Sequence, residues 1–305
     1  MSYDQYYRKL LRKSKFGLRD YLSILSLFFK RSMKAWTRFK VSFTFNVIGM
    51  IIGVFSYYFI KTMFSTSGIV KSLEPYGGDF MAFLIIGLAF QQFVDTALHG
   101  YYEGLANAYW NCTLEQYLTT PLSPLTFCIA QTLWGLVLNL FNMLLYLTIG
   151  IAVFKIRVMC HNLAYVLLVL LLSIIAVSGL GLLAASTFML INAKSWEDPV
   201  RWFISTLEGL VVGTYYTPAI LPMWLQVLGL ILPQTYALDA LRRLLIAGSK
   251  SEAVLLVHSM LPFSPIVTDI IFLSVFSVLY LPFGYYMFKK GIDFARKIGN
   301  LSRWV

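Results

Sequence analysis

The sequence predicts an all-α polytopic membrane protein with six transmembrane helices. An amphipathic helix lies at the interface before the first span, and a re-entrant helical hairpin lies between spans five and six. Three observations carry this. Hydrophobic residues make up 58% of the 305 residues, with a mean hydropathy of +0.71, against about 45–50% apolar in soluble domains. Several runs of about twenty residues carry almost no charge, enough to cross a hydrocarbon core of about 30 Å as a helix. These runs do not alternate in steps of two, as barrel strands do.

The charge is cationic at the two ends of the chain. Residues 1–40 hold 11 Lys/Arg and two Asp, and residues 289–305 hold five Lys/Arg and one Asp; the other nine basic residues are scattered. Basic flanks beside spans obey the positive-inside rule, and anionic lipid heads account for the net charge of +11 without nucleic acid. Cys112, Cys128 and Cys160 have no paired spacing. The three histidines are isolated and show no zinc signature, so no metal site is expected. The first apolar run starts near Val41, too late and too long for a cleavable signal peptide.

Residues 1–40 form a basic tail and an amphipathic helix. Leu18, Tyr21, Leu22, Leu25, Phe28, Phe29, Met33, Trp36 and Phe39 recur at helical steps, with Arg19, Lys30, Arg31, Lys34 and Arg38 on the other side. Residues 41–60 are span one. Residues 80–98 are span two, with Gln91, Asp95, His99 and Glu103 four apart on one helical face. That stripe reads either as an ion or proton site or as the water-facing end of a span, and the second reading is preferred. Residues 100–125 are a polar segment, TLEQYLTTPLSP at its centre. Residues 127–154 and 163–191 hold spans three and four. Span four carries small residues at Ser178, Gly179, Gly181, Ala184, Ala185 and Ser186, which let helices approach closely. After the charged loop from Asn192 to Pro199, residues 201–216 are span five, with Glu208 inside it. An acid there is either functional or turned to water or a neighbour.

Residues 217–247 contain Pro218, Pro222 and Pro233 around an apolar run too short to span, which suggests a re-entrant hairpin. Residues 265–288 are span six, and residues 289–305 are a basic tail expected on the bilayer surface. Two basic termini place both ends in the cytosol and require an even number of spans. Lys155 and Arg157 in an outer loop, and the absence of Lys or Arg from 100–125, vote the other way but are outnumbered.

At TLEQYLTTPLSPLTFCIAQ the chain resembles the ABC-2 type permeases, the membrane subunits of many ABC exporters. Thr113, Leu114, Glu115, Gln116, Leu118, Pro121 and Ser123 match that family's Gly-Thr-Leu-Glu-Gln-Leu run and its Pro-x-Ser turn. Cys112 stands where the family usually has Gly. NAYWN replaces a charged lead-in. A second match is LPQTYALDALR, from Leu232 to Arg242. The resemblance implies that the segment around Glu115 is a cytosolic coupling helix seated on a separate ATPase subunit. It implies a substrate path lined by spans one, two and five between two permease copies, homologous or identical. Gln91, Asp95, Glu208, Tyr215 and Tyr216 are candidates for that path. The hairpin, with Pro233, Tyr236, Asp239 and Arg242, would close it on the outside.

No GxxxxGK[ST] phosphate loop occurs in the chain, so P-loop binding of ATP is not expected here. ATP and Mg would be held by the partner subunit, and the chain itself would be non-catalytic with no cofactor of its own. The substrate would be amphiphilic, a drug or a lipid-linked glycan, and the protein a multi-pass component of the cell membrane. Two other readings stand beside this one. An intramembrane lipid-modifying enzyme would use Asp95, His99 and Glu103 as acid/base groups. An ion-coupled secondary transporter would use Asp95 and Glu208, but no inverted repeat is visible.

Overall fold

Helices account for nearly all the regular structure in the computed structural model, which describes residues 17–38, 40–63, 72–119, 123–159, 162–190, 199–250 and 252–298. In chain order these are α1 (Leu18–Arg38), α2 (Lys40–Met63), α3 (Phe80–Trp110), α4 (Leu114–Thr119), α5 (Pro124–Phe154), α6 (Leu163–Leu190), α7 (Pro199–Val211), α8 (Met223–Gly229), α9 (Pro233–Leu245) and α10 (Pro265–Ile298). Among the described residues α3, α5, α6 and α10, of 31, 31, 28 and 34 residues, are long and apolar enough to cross a membrane. A fifth candidate arises if Arg19–Arg38 and Phe43–Phe59, bent by 78°, count as one broken span.

Local chemistry sets the helix ends. Asp79 Oδ1 accepts from the N–H of Met81 (3.0 Å) and Ala82 (3.3 Å), capping α3. Ser123 Oγ accepts from Thr126 N–H at 3.1 Å, with Pro124 at the first position of α5. Asn162 Oδ1 does the same for Ala164 at the start of α6. The 13 residues of α7 rise only about 20 Å, less than the span expected over 201–216. Past Val211 the chain turns at Gly213, whose φ of +83° an L side chain rarely adopts and where a Cβ would meet Pro218 Cδ at 2.7 Å.

Two expected boundaries differ from the structure. No proline follows Leu98 before Trp110, and Gly100 and Gly104 are packed against α5 at Thr132 and Gln131, so α3 runs on without interruption to Trp110 and delivers the chain directly to α4. The stretch after Lys289, expected on the bilayer surface, is the last part of α10 as far as Ile298. The remainder of that tail, residues 1–16 and the loop from 191 to 198 lie outside the described residues.

The long helices pack through small residues. A Cβ on Gly284 of α10 would stand 2.1 Å from the carbonyl oxygen of Gly179 on α6, and one on Gly291 would stand 2.8 Å from Ser186 O. On another face of α6, a Cβ on Gly181 would meet Ala97 O of α3 at 2.4 Å. Three backbones thus meet at van der Waals range around α6, the arrangement that favours helix association in lipid. The loop after α5 and the end of α9 share one end of the bundle, where Met159 N–H donates to Leu245 O at 2.9 Å. Segment α4 and the end of α10 lie at the other, where Tyr101, Leu105, Leu114, Phe127, Phe188, Phe288 and Ile292 form a second apolar cluster.

Candidate functional site

Three groups of predicted residues occupy three levels of the bundle. The first is the segment between α3 and α5. Leu114 is buried at 1% exposure, while Glu115 and Gln116 on the same short helix are exposed. Thr113 Oγ1 donates to Ala108 O at 3.2 Å, tying the segment back onto α3. Tyr117 stacks on Phe127 of α5 with ring centroids 4.4 Å apart, and Phe28 of α1 packs edge-on against the same ring. The segment is therefore anchored by its apolar side to α3, α5 and α1 and presents its acidic side outward. Cys112 has φ +56°, a left-handed conformation that favours glycine. Ser123 serves as the cap of α5. Pro121 and the side chain of Leu118 lie outside the described residues.

The second group is a ladder between α3 and α7, which run in opposite directions. His99 Nε2 lies 2.9 Å from Ser205 Oγ. One turn toward α4, the Arg201 guanidinium sits 4.5 Å from the Tyr102 ring centroid. One turn the other way, the antiparallel register sets Asp95 against Glu208, and the two carboxyls are within electrostatic reach of each other. Glu208 is only 2% exposed and Asp95 is partly buried. Gln91 is partly buried one turn beyond, and Glu103 is exposed. Tyr215 lies past the end of α7 with its ring 5.8 Å from that of Tyr57 on α2. Tyr216 donates its hydroxyl to Leu210 O.

The third group is a buried charged cluster at the α9 end. Helix α9 is nearly all buried despite two arginines and an aspartate. Asp239 Oδ2 accepts from Arg243 Nε at 2.7 Å, and Oδ1 accepts from the Tyr76 hydroxyl. Arg243 also donates to Lys250 O (2.8 Å) and Glu252 O (2.9 Å). Arg242, 1% exposed, donates to three carbonyls: Phe83 O on α3 (3.2 Å), Gly213 O (2.7 Å) and Thr214 O (2.8 Å). Its guanidinium lies 3.3 Å from the Phe83 ring centroid. Pro233 starts α9, and Tyr236 donates to Leu230 O at 3.0 Å while stacking on Phe272 of α10.

Electrostatics follow from that packing. Burial alone would raise the Asp239 carboxyl, but Arg243, His258 and Tyr76 outweigh it and hold it below the usual carboxylate range. Burial, then the Asp239 charge, pushes the Tyr76 phenol well above its ordinary value. Burial, then Arg243, lowers the His258 imidazole against the opposing pull of Asp239.

Sequence reasoning missed His258, Asp269, Tyr76 and Arg243 as members of this cluster. Contrary to the reading of His258 as isolated, its Nε2 lies 2.9 Å from Asp269 Oδ1 and 3.7 Å from Asp239 Oδ2. Nothing in the loop around His258 or in the apolar start of α10 signals this; only the doubling of Arg242 by Arg243 was a visible cue. One ligand atom from each of Asp239, His258 and Asp269 lies within 4.8 Å of the others, a spacing compatible with a metal ion only if each atom has a free lone pair. His258 Nδ1 faces the N–H groups of Val254 (3.5 Å) and Leu255 (3.4 Å) as an acceptor. That network assigns the ring proton to Nε2, which then donates to Asp269 and has no lone pair for a metal. Both Asp239 oxygens are also committed to neutral or cationic donors. These donors do not fit a metal; they fit a hydrogen-bonded lock.

A family model described as ABC-2 type transporter matches residues 24–246, more than half of the chain. No curated protein matches it.

Proposed function

The chain belongs to the ABC-2 type transporter family, and from that premise we propose that it is the permease subunit of an ATP-driven exporter, working as a dimer with a separate ATPase subunit. The membrane component of such a transporter does not hydrolyse ATP; ATP and Mg belong to the partner. In this reading six spans cross the cell membrane with both termini cytosolic. Helix α7 and the irregular chain after it are the fifth span, α1 lies in the cytosolic interface, and α8 and α9 form the re-entrant hairpin.

The observation that supports this reading best is the continuity of α3. Arg242 grips it at Phe83 near one end, and Thr113 ties α4 to it at Ala108 near the other. A helix anchored at both ends carries a displacement of α4 to the hairpin without a separate hinge. In the proposed coupling segment (Thr113, Leu114, Glu115, Gln116, Leu118, Pro121 and Ser123), Glu115 and Gln116 face outward as the contact, while Leu114 is buried and Thr113 and Ser123 fix the segment to α3 and α5. Gln91, Asp95, Glu208, Tyr215 and Tyr216 line the proposed path of an amphiphilic substrate. Pro233, Tyr236, Asp239 and Arg242 hold the outer closure. The lipid-modifying alternative loses support because its three groups diverge: His99 bonds Ser205 and Glu103 is exposed.

The test is co-purification with the ATPase subunit, then transport and ATP hydrolysis in proteoliposomes. Glu115→Ala is expected to keep the assembly and to weaken substrate-coupled hydrolysis by about 5-fold or more, the scale of a coupling free energy of 1–3 kcal/mol. Unchanged coupling in an intact complex would remove α4 from this role.

A further inference from the structure

We propose that the Asp95–Glu208 pair is a binding station for a cation, so that the transported amphiphile carries a positive charge. The inference rests on the permease reading above and names the class of its substrate. The Glu208 side chain is almost fully buried, and among the described residues neither its carboxyl nor that of Asp95 has a hydrogen-bond or ion-pair partner. The antiparallel register fixed by His99–Ser205 and Tyr102–Arg201 sets the two carboxyls against each other. Two acids facing each other in a water-poor site repel when ionised, and burial penalises each charge separately. Structural acids at such depth are normally paired with a base or with backbone donors. The basic group on the same ladder, Arg201, is two turns from Glu208 and is turned onto the Tyr102 ring. A ligand cation between the two carboxyls would supply the missing partner.

Two features fit a ligand rather than a sealed core. Arg201, the cation nearest along α7, is engaged by the Tyr102 ring and leaves the carboxyl pair without a basic partner. Toward the α9 end, Tyr57 and Tyr215 pair their rings 5.8 Å apart, and Tyr215 is 37% exposed. Aromatic faces attract cations through the negative face of the ring. The order along the path is then carboxyl pair, amide of Gln91, aromatic pair. The net charge of +11 comes largely from the two ends of the chain and gives no attraction for a cation along the path. Preference for a cation would therefore have to come from a local site.

The probes are tetraphenylphosphonium and tetraphenylborate, a cation and an anion of nearly equal size and shape. Binding of each to the full chain in nanodiscs is measured against empty nanodiscs of the same lipid, without any ATPase present. Tetraphenylphosphonium is expected to bind at least about 10-fold tighter than tetraphenylborate, equivalent to about 1.4 kcal/mol. Asp95→Asn and Glu208→Gln should each remove most of that preference while leaving a monodisperse protein whose melting temperature does not fall, since each relieves a buried charge. Equal binding of the two probes to the unmodified protein overturns the proposal, as does a preference that survives in both variants. If a variant fails to fold, the comparison of the two probes on the unmodified chain decides alone. Failure of the permease reading shows elsewhere: no ATPase subunit co-purifies and no ligand alters hydrolysis, whichever probe binds.

Discussion

His258 Nε2 lies 2.9 Å from Asp269 Oδ1, joining the loop before α10 to its first turn, and both side chains are almost fully buried. Asp269 Oδ2 is buried without a hydrogen-bond partner, so its ring donor carries much of that carboxyl's satisfaction. His258→Leu should cost about 2–4 kcal/mol, because it strips the remaining donor from a buried acid. His258→Gln, which can still donate, should cost less. Thermal unfolding in detergent measures both. A chelator should leave the unmodified protein's transition in place, and a lowered transition would show that a metal sits here after all.

Arg242 is the residue through which α3, α9 and the turn at Gly213 are held together. A lysine offers one ammonium where a planar fork serves three carbonyls. Arg242→Lys is expected to destabilise by about 3 kcal/mol, the scale of breaking a buried charged network. Gly87 confirms how tightly the fork is fitted: a Cβ there would stand 2.6 Å from Arg242 Nη2. Gly87→Ala should therefore lower the transition as well, though it removes no charge.

Asp239 makes stability depend on pH. Its carboxyl is depressed from an ordinary value of 3.8. A depressed acid contributes stability that is present above the unfolded value and lost as pH falls through the folded one. The gap in melting temperature between the unmodified protein and Asp239→Asn should accordingly hold from neutral pH down to about 4 and close below that. Tyr76, raised by burial, acts at the opposite extreme: its contribution is complete below about 10 and is lost at higher pH. A gap that stays constant down to pH 3 would exclude the charged form of Asp239 as the stabilising species.

Cys112 occupies a left-handed backbone position, φ +56°, at the turn from α3 into α4. Such a conformation costs an L residue about 1–2 kcal/mol that glycine avoids. Cys112→Gly should stabilise by up to about 1 kcal/mol, the gain being reduced by glycine's greater freedom when unfolded. Cys112→Val should destabilise, since β-branching makes the same φ worse. Equal stability of the three would mean that the turn relaxes to another conformation.

Gly284 and Gly179 set the spacing of α10 and α6. A side chain at 284 would begin 2.1 Å from a carbonyl oxygen, and backbone cannot rotate out of the way. Gly284→Val should force the helices apart and cost 3 kcal/mol or about that, at the upper end of overpacking. Gly209→Ala, in open space, should be close to neutral. The contrast between two glycines in one protein distinguishes packing from a general loss of flexibility.

Much of the architecture was legible from one-dimensional features. A long apolar run reports a helix in lipid because backbone groups have no other way to be satisfied there, and α3, α5, α6 and α10 stand out for that reason. The polar TLEQYL segment stands out because it interrupts two such runs. The preference for glycine at position 112 was visible as a family pattern, and its cause, the left-handed turn, needed coordinates. Run length did not reveal that α3 continues past Leu98, because Glu103 and the tyrosines around it lower the apolarity without breaking the helix.

By itself, then, the sequence determined the all-helical membrane class, its four longest helices and the family, since hydrophobic length and local motifs are properties of neighbouring residues. Only the tertiary structure decided which charges meet. The bond from Tyr76 to Asp239 crosses 163 positions, and that from Arg242 to Phe83 O crosses 159. Whether an acid is paired, as Asp239 is, or faces another acid, as Glu208 does, depends on the register between helices. A single turn of displacement would change either outcome, because burial magnifies each charge while leaving its partner to be supplied by a distant part of the chain.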